Sequence, residues 1–521
     1  MRITTKDIGW ALLSGLLITL PFLDFSLSFL AWFAFIPLIL TLRGKSLRQG
    51  AALGFLAGAI FGYGGIYWLA RVTFYGYFIL SAYLALYFAV WGAWIAYLLS
   101  RRPGRLWWGG AAAWVALEFL RAHLFTGFPW NLLGVSQARN LPLIQAAAFL
   151  GVYGISGVVI FFNTAWAQFF LSFGPPPKRR FFLRLVPPVA ATLLLLAFFY
   201  YGTTKLRRKE TGRNPLALCL VQGGIAQELK WDSSLAGRHL QTYLDLSRQA
   251  LAGRPGLIVW PESALPYYLA ESSASLSYRK AQEEMGRRLA ALARTGKTYL
   301  LAGGDYLTAA RPVRYYNSAY LYDPEGKMTG RYDKKHLVPF GEYTPLKRFL
   351  PFLRHVVPWE EDFSAGRELT VFNLKKKGKL GVLICFEDIF PGPARSFSRR
   401  GAEILANLTN DAWYGRTIAP YQHAYAARFR AVENRIYLAR ATNTGYSCVF
   451  DPRGRLVGEV AGPGGENLYV SDFKTVDIYP TARRSFYTAH GDLFSWLCVL
   501  LSLLAAIGSL TTKLRIKRTL N

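Results

Sequence analysis

A helix needs about 20 consecutive apolar residues to cross the hydrocarbon core of a bilayer. The first two hundred residues of this 521-residue chain supply such runs almost end to end. Spans are expected at 51–70, 74–99, 106–120, 141–173 and 185–202, and a further uncharged run lies far away at 493–510. The stretch 8–42 is either one long span or a hairpin broken around Asp24. Its start, with Arg2 and Lys6, resembles a signal peptide, but no small-residue cleavage site follows the apolar run, so it is read as mature structure.

Charge decides between one span and two. Lys and Arg number 61 against 31 Asp and Glu, a formal net charge of +30. The basic residues cluster in alternate connections: Arg43, Lys45 and Arg48; Arg101, Arg102 and Arg105; Lys178, Arg179, Arg180 and Arg184; and the tail Lys513, Arg515, Lys517 and Arg518. Arg2 and Lys6 join that side only if 8–42 is a hairpin, because positive loops collect on the cytoplasmic face. The expectation is therefore seven spans, a large polar region outside, and an eighth span, with both termini cytoplasmic. The basic surplus is topological, and no nucleic-acid partner is expected.

Between 211 and 484 the pattern changes to apolar runs of five to eight residues, Gly and Pro turns, and helical segments at 235–252 and 278–295. Strands are expected at 216–222, 256–260, 299–303, 317–322, 380–384, 404–408, 437–442 and 447–450. Turn signals at Asp323-Pro324-Glu325-Gly326 and Asp451-Pro452-Arg453-Gly454 suggest two hairpins. Alternating strands and helices argue for a layered α/β domain with its own core. The chain thus divides into a transmembrane bundle at 1–205, a globular domain at 206–486, and a last span with a basic tail at 487–521.

Four cysteines without a CxxC pair exclude a disulfide scaffold and the usual zinc sites. The absence of HExxH, GxSxG, GxxxxGK[ST] and GxGxxG removes the common protease, hydrolase and nucleotide readings, and neither metal nor cofactor is expected. What remains is three apolar runs that each end on a reactive residue: Trp260-Pro261-Glu262, the segment from Tyr332 through Lys334 to Glu342, and Ile384-Cys385-Phe386-Glu387-Asp388. An α/β sheet delivers side chains into a cleft at such strand ends. A thiol there can be held as a reactive thiolate, a carboxylate can serve as general base and acid, and an ammonium can stabilise an oxyanion. Glu262, a lysine and Cys385 are acyl-transfer equipment.

The strings Trp-Pro-Glu, Lys-x-His-Leu-Val-Pro-Phe-Gly-Glu and Cys-Phe-Glu resemble the nitrilase superfamily of carbon-nitrogen hydrolases, and more narrowly its membrane-embedded apolipoprotein N-acyltransferase family. The narrower resemblance includes Gly127-Phe128-Pro129-Trp130-Asn131, Leu229-Lys230-Trp231, Tyr316-Asn317-Ser318 and Asn410-Asp411-Ala412-Trp413-Tyr414-Gly415. It implies an αββα sandwich beside the α-helical multi-pass bundle, in a bacterial cytoplasmic (inner) membrane with the catalytic domain on the periplasmic side. It also implies transfer of a fatty acyl chain from a membrane phospholipid, through a Cys thioester, to the α-amino group of the S-diacylglyceryl-cysteine of apolipoproteins. The implied catalytic residues are Glu262, Lys334 and Cys385, with Glu342, Glu387 and Asn317 in support. Trp231, Phe386, Trp413 and Tyr414 are implied substrate contacts.

Each residue also has a packing reading. Cys219, Cys448 and Cys498 fall in expected strands and the last span and are read as core thiols. Lys335 competes with Lys334, and only the Lys-x-His spacing prefers the latter. Glu342 and Glu387 are either solvated charges or groups that orient Lys334 and line the pocket. Phe386 stands where family members are expected to carry Tyr. Glu118 and Arg121 are read as an internal pair. The apolar segments 349–353 and 356–359, flanked by Lys347, Arg348 and Arg354, are either an excursion into the core or a flap that admits lipid past Phe352 and Leu353. Two rival functions remain: a membrane-tethered amidase using the same triad, and a lipid-binding or transport protein with a dead hydrolase domain.

Overall fold

Asp24 turns the chain back on itself. In the computed structural model, which describes residues 2–173, 181–207, 215–270, 276–309, 312–345, 347 and 362–519, helix α1 (Thr5–Leu23) opens on a capping box between Thr4 and Asp7. It ends at Asp24, whose carboxylate accepts from the Ser26 N–H at 2.8 Å and starts a 3-10 turn. The chain returns through α2 (Ile36–Thr41), so that Thr41 Oγ1 donates to Asp7 Oδ1 at 2.6 Å. Lys45 reaches both Asp7 and the Arg2 carbonyl. The first basic loop therefore lies beside the N-terminal end of α1, as a hairpin requires.

Helices α3 (Leu47–Gly65), α4 (Phe74–Arg101), α5 (Leu106–Arg121), α6 (Leu141–Ile144), α7 (Ala147–Leu171) and α8 (Phe181–Arg207) follow. Among the described residues four helices, Thr5–Leu23, Phe74–Arg101, Ala147–Leu171 and Phe182–Arg207, are long and apolar enough to cross a bilayer, and the chain is a multi-pass membrane protein. The run expected as one span at 141–173 is instead split into α6 and α7, with a further break at Gly151, φ 67°. Helices α3 and α4 approach through glycines: a Cβ on Gly54 would lie 2.3 Å from the Phe88 carbonyl, and one on Gly92 2.3 Å from that of Gly50. Small residues let backbones meet where lipid supplies no hydrophobic drive. Glu118 and Arg121 are both buried and their charges act on each other, as expected of an internal pair, but their hydrogen bonds go to backbone: Glu118 Oε1 accepts from the Leu133 N–H at 2.7 Å and Arg121 donates to the Trp130 carbonyl at 3.3 Å. Both hold the loop after α5, whose backbone groups would otherwise be unsatisfied.

Beyond residue 215 two sheets form. Strands β1 (Leu216–Gln222), β2 (Leu257–Val259), β3 (Leu269–Ala270), β4 (Tyr299–Leu307), β5 (Tyr315–Tyr322) and β6 (Met328–Asp333) build the first, and β7 (Val371–Asn373), β8 (Lys379–Ile384), β9 (Ile404–Thr409), β10 (Tyr437–Thr442), β11 (Cys448–Phe450) and β12 (Leu456–Glu459) the second. The last strand, β13 (Asp472–Ile478), returns to the edge of the first, giving the order β13-β1-β2-β4-β5-β6 with β3 paired to β4; the second runs β12-β11-β10-β9-β8-β7. The β1-β2-β4 and β8-β9-β10 runs are parallel.

Period-two burial makes the layers. Leu216, Leu218 and Leu220 of β1 enter the core between the sheets, while Cys219 and Val221 face the helices on the outside. Those helices, α10 (Ala236–Ala250) and α11 (Leu276–Gly296), follow the short α9 (Gln227–Lys230) and present Leu240, Tyr243 and Leu244, and Met285, Leu289 and Leu292, at helical spacing. On the second sheet a Cβ at Gly381 would meet Phe397 of α12 (Pro391–Arg399) at 2.8 Å, so α12 and α13 (Ala419–Asn434) cover its outer face. The result is an αββα sandwich. Both expected hairpins are present, and each tip uses its Asp in the same way: Asp323 Oδ1 accepts from the N–H groups of Glu325 and Lys327, and Asp451 Oδ1 from those of Arg453 and Arg455.

Helices α14 (Phe486–His490) and α15 (Leu493–Thr519) end the chain. Contacts divide the molecule into two compact units, Met1–Arg208 with His490–Asn521, and Lys209–Ala489. The apolar segments at 349–353 and 356–359, with Phe352 and Leu353, lie outside the described residues.

Candidate active site

Parallel strands deliver their chemistry at their C-terminal ends. Glu262 follows β2 through Trp260 and Pro261, and Trp260 Nε1 donates to Ser247 Oγ of α10 at 2.8 Å. A Cβ on Gly303 of β4 would lie 2.4 Å from the Pro261 carbonyl, so only glycine lets β4 pass this turn. Lys334 continues β6 and Cys385 follows β8 directly. Cys385 has φ +50°, the left-handed region that a non-glycine residue adopts only when held there, and it opens a 3-10 turn running into α12. Asn407 of β9 does part of that holding, donating to the Cys385 carbonyl at 3.0 Å.

The reactive groups converge. Glu262 and Lys334 are buried, with Lys334 Nζ 3.7 Å from Glu262 Oε1 and 2.9 Å from Glu342 Oε1. Asn317 Nδ2 bridges the two carboxylates, donating to Glu262 Oε1 at 2.8 Å and to Glu342 Oε1 at 3.0 Å. The Asn410 N–H donates to Glu262 Oε2, and the Val338 N–H to Glu342 Oε2, both at 2.8 Å. Lys335 turns away to the Arg367 carbonyl. Burial pulls the Lys334 pKa down, but the carboxylates of Glu342 and Glu262 raise it further, and it stays above the ordinary lysine value.

Burial pushes the Cys385 thiol well above its ordinary pKa, Glu262 adding to the effect and Lys334 opposing it. The strand end is dry and close to a carboxylate, so the sulfur rests as a thiol rather than as the thiolate such a position can hold. Glu387 is fully buried rather than solvated, and the Lys334 charge acts on it without a hydrogen bond between them. It accepts from Tyr332 Oη (2.9 Å) and from the N–H groups of Lys335 (2.9 Å), His336 (3.1 Å) and Ile384 (2.8 Å), tying the lysine segment to the cysteine turn.

The remaining residues read from the sequence surround these. Tyr414 and Trp413 lie in the 3-10 turn after β9, and burial, with Cys385 and Asp411 nearby, raises the Tyr414 pKa. Trp231 stands 45% exposed at the end of α9. Phe386 packs against Phe390 and His336 at centroid distances of 5.2 and 6.1 Å. Cys219, Cys448 and Cys498 are buried.

One cluster escaped sequence reading. Beneath the cysteine turn, Arg440 of β10 donates to Asp388, Asn407 and Asp411, the last at 2.8 Å. His423 of α13 stands between the two aspartates, Nε2 2.7 Å from Asp388 and Nδ1 2.9 Å from Asp411. All four are fully or almost fully buried. An arginine inside the apolar run of β10 was the available signal, since such a charge is buried only with partners.

The carbon-nitrogen hydrolase family model matches residues 219–483, which makes the second unit a carbon-nitrogen hydrolase domain. The model of the apolipoprotein N-acyltransferase N-terminal domain matches residues 14–165. The chain belongs to the apolipoprotein N-acyltransferase family. It is 39% identical to the apolipoprotein N-acyltransferase of Geobacter metallireducens over 95% of this chain and 94% of that one. It is 34% identical to that of Brucella melitensis over 82% and 77%, and 30% identical to that of Chlorobaculum tepidum over 97% and 98%. Among solved structures, an amidase from Nesterenkonia sp. is 22% identical over 53% of this chain and 92% of that one, with a TM-score of 0.38.

Proposed function

We propose that the protein transfers a fatty acyl chain from a membrane phospholipid to the α-amino group of an S-diacylglyceryl-cysteine at the N-terminus of apolipoproteins, in two steps through Cys385. Glu262 takes the thiol proton as sulfur attacks the ester carbonyl, Lys334 stabilises the oxyanion, and Glu262 returns the proton to the leaving lysophospholipid. The acceptor amine then attacks the thioester and Glu262 passes its proton to sulfur. Glu342 and Asn317 hold Lys334 and Glu262 in place, Glu387 fixes the segments that carry Lys334 and Cys385, and Trp231, Phe386, Trp413 and Tyr414 line the path of the acyl chain. The charge pattern assigns both termini to the cytoplasm and the catalytic unit to the periplasmic side.

The observation that carries this reading is the shared bridge: one Asn317 amide bonds both carboxylates that contact the Lys334 ammonium, and all three charged groups act on the Cys385 thiol. A membrane-tethered amidase would need the same groups but not the bundle. Mass spectrometry of the purified protein after exposure to phospholipid without acceptor tests the reading. An acyl increment on the Cys385 peptide is expected; its absence, with release of free fatty acid or ammonia from small amides, would favour the amidase.

A further inference from the structure

Asp305 is a third carboxyl beside the site. It lies on β4 directly opposite Asn317 of β5 in the antiparallel register, so the two side chains project from the same face of the sheet. Asn317 is the residue that bonds Glu262 and Glu342. Asp305 is only 8% exposed, and its Oδ1 has no hydrogen-bond partner among the described residues. A buried carboxyl oxygen without a donor is costly, and a native fold keeps one where it has work to do. Four charged groups act on it, Glu262, Lys230, Glu342 and Lys334. The phenols of Tyr268, Tyr278 and Tyr320 face it as well, and Tyr320 Oη donates to its backbone carbonyl at 3.2 Å. Lys230, at the end of α9, donates from Nζ to the Glu262 carbonyl oxygen at 3.0 Å and acts on Asp305 and Cys385. Burial, with Glu262 and Glu342, pushes the Asp305 carboxyl up to about 7 against the pull of Lys230 and Lys334. Burial likewise brings Lys230 down to about 8. Both groups therefore exchange protons near neutrality.

The proton count of the second half-reaction leaves work for such a group, if the two-step transfer above holds. Glu262 takes one proton from Cys385, gives it to the leaving alcohol and ends the first step as a carboxylate. An α-amino group has an ordinary pKa of about 7.7–8.0, so it arrives at neutral pH largely as an ammonium, with one proton more than the nucleophile. We propose that Asp305, with Lys230 beside it, is the base that removes this extra proton from an ammonium acceptor. One N–H bond of the ammonium breaks, and the proton goes to the Asp305 carboxylate. The freed nitrogen pair attacks the thioester carbonyl, Glu262 takes a second N–H proton as C–N forms, and C–S breaks as Glu262 hands that proton to sulfur. Asp305 returns its proton to water. The products are an amide, the Cys385 thiol and one released proton.

The test uses the full-length protein with phospholipid donor and compares two acceptors, a synthetic diacylglyceryl-cysteine peptide and hydroxylamine, which is neutral at pH 7. Asp305→Asn is expected to form the Cys385 thioester within a few-fold of wild type. With the peptide at neutral pH it should lose roughly 10²-fold or more in transfer, the scale of a lost general base, and recover most of this as pH rises above the amine pKa. With hydroxylamine its rate should hold. Equal loss with both acceptors, or no loss with the peptide, would overturn the proposal. A wild-type protein that never forms the thioester sinks the two-step reading instead, and this proposal with it. Should Asp305→Asn fold poorly, Lys230→Met carries the test: removing the ammonium that favours ionised Asp305 must shift the acidic limb of peptide transfer to higher pH, and an unmoved limb overturns the assignment.

Discussion

Lys334 makes its shorter contact with Glu342, at 2.9 Å, and leaves Glu262 at 3.7 Å. The ammonium is anchored on one carboxylate while the other, held by the N–H groups of Asn317 and Asn410, remains beside the thiol. Glu342→Gln removes the anchor and lets Lys334 collapse onto Glu262, occupying the base. A lost charge-assisted bond of about 1.5–3 kcal/mol corresponds to a roughly 10- to 100-fold fall in the rate of thioester formation. Glu262→Gln should fall further, by about 10²–10⁴-fold. Single-turnover acylation followed by mass spectrometry measures both; equal activity of Glu342→Gln and wild type would remove Glu342 from the mechanism.

Because Cys385 is a thiol at rest, its alkylation by iodoacetamide should be slow at neutral pH and climb only above the ordinary thiol range. Cys219 and Cys448, buried and pushed up to about 12, should stay unlabelled in the folded protein. Cys385→Ala and Cys385→Ser are both expected to abolish transfer, while Cys219→Ala and Cys448→Ala keep most of it. Fast labelling of Cys385 at pH 7 would show a resting thiolate and refute the burial argument.

The cluster beneath the cysteine turn makes stability depend on pH. Burial and Arg440 oppose protonation of His423, but Asp388 and Asp411 outweigh them and its pKa is raised. A histidine whose folded pKa exceeds its unfolded value contributes stability in full below about pH 6.5 and loses it as pH rises through the folded value. Thermal unfolding of the detergent-solubilised protein should therefore show this loss above about pH 6.5, and His423→Gln should flatten it. Arg440→Ala leaves two buried aspartates with only His423 between them and is expected to cost about 3–5 kcal/mol. A wild-type curve that matches His423→Gln at every pH would mean the imidazole is neutral throughout.

In the membrane unit, Gly54→Ala places a Cβ 2.3 Å from the Phe88 carbonyl, whereas Gly9→Ala meets nothing within 4 Å. The first should lower stability by about 1–3 kcal/mol, the usual cost of overpacking, and the second should not. Thermal melts in one detergent compare them, and an unchanged melt for Gly54→Ala would show that α3 and α4 separate more freely than the structure has them.

The membrane class, the change to an α/β region after residue 211, the strands β1 and β10 to the residue, and the strand ends that carry Glu262 and Cys385 were legible in the sequence. Each of these follows from a local signal: unbroken apolar length, period-two burial, or a reactive residue closing an apolar run. The hairpin at Asp24 was legible too, because the placement of basic residues acts along the chain.

Tertiary structure decided what depends on residues far apart in sequence. Lys334 and Lys335 are neighbours with the same side chain, and only the direction of β6 and the presence of Glu342 and Asn317 separate a buried ammonium from one that turns to the Arg367 carbonyl. Glu118 and Arg121 have the spacing of a helical pair and act on each other, yet the hydrogen bonds of both go to the backbone of the following loop. Asp388, Asp411, His423 and Arg440 come from four separate elements, and Asp305 meets the site only because β4 and β5 put it opposite Asn317. A titratable group takes its protonation state from what surrounds it in space, so the chemistry of Cys385, Asp305 and His423 was set by burial and neighbouring charge, which the order of residues along the chain does not contain.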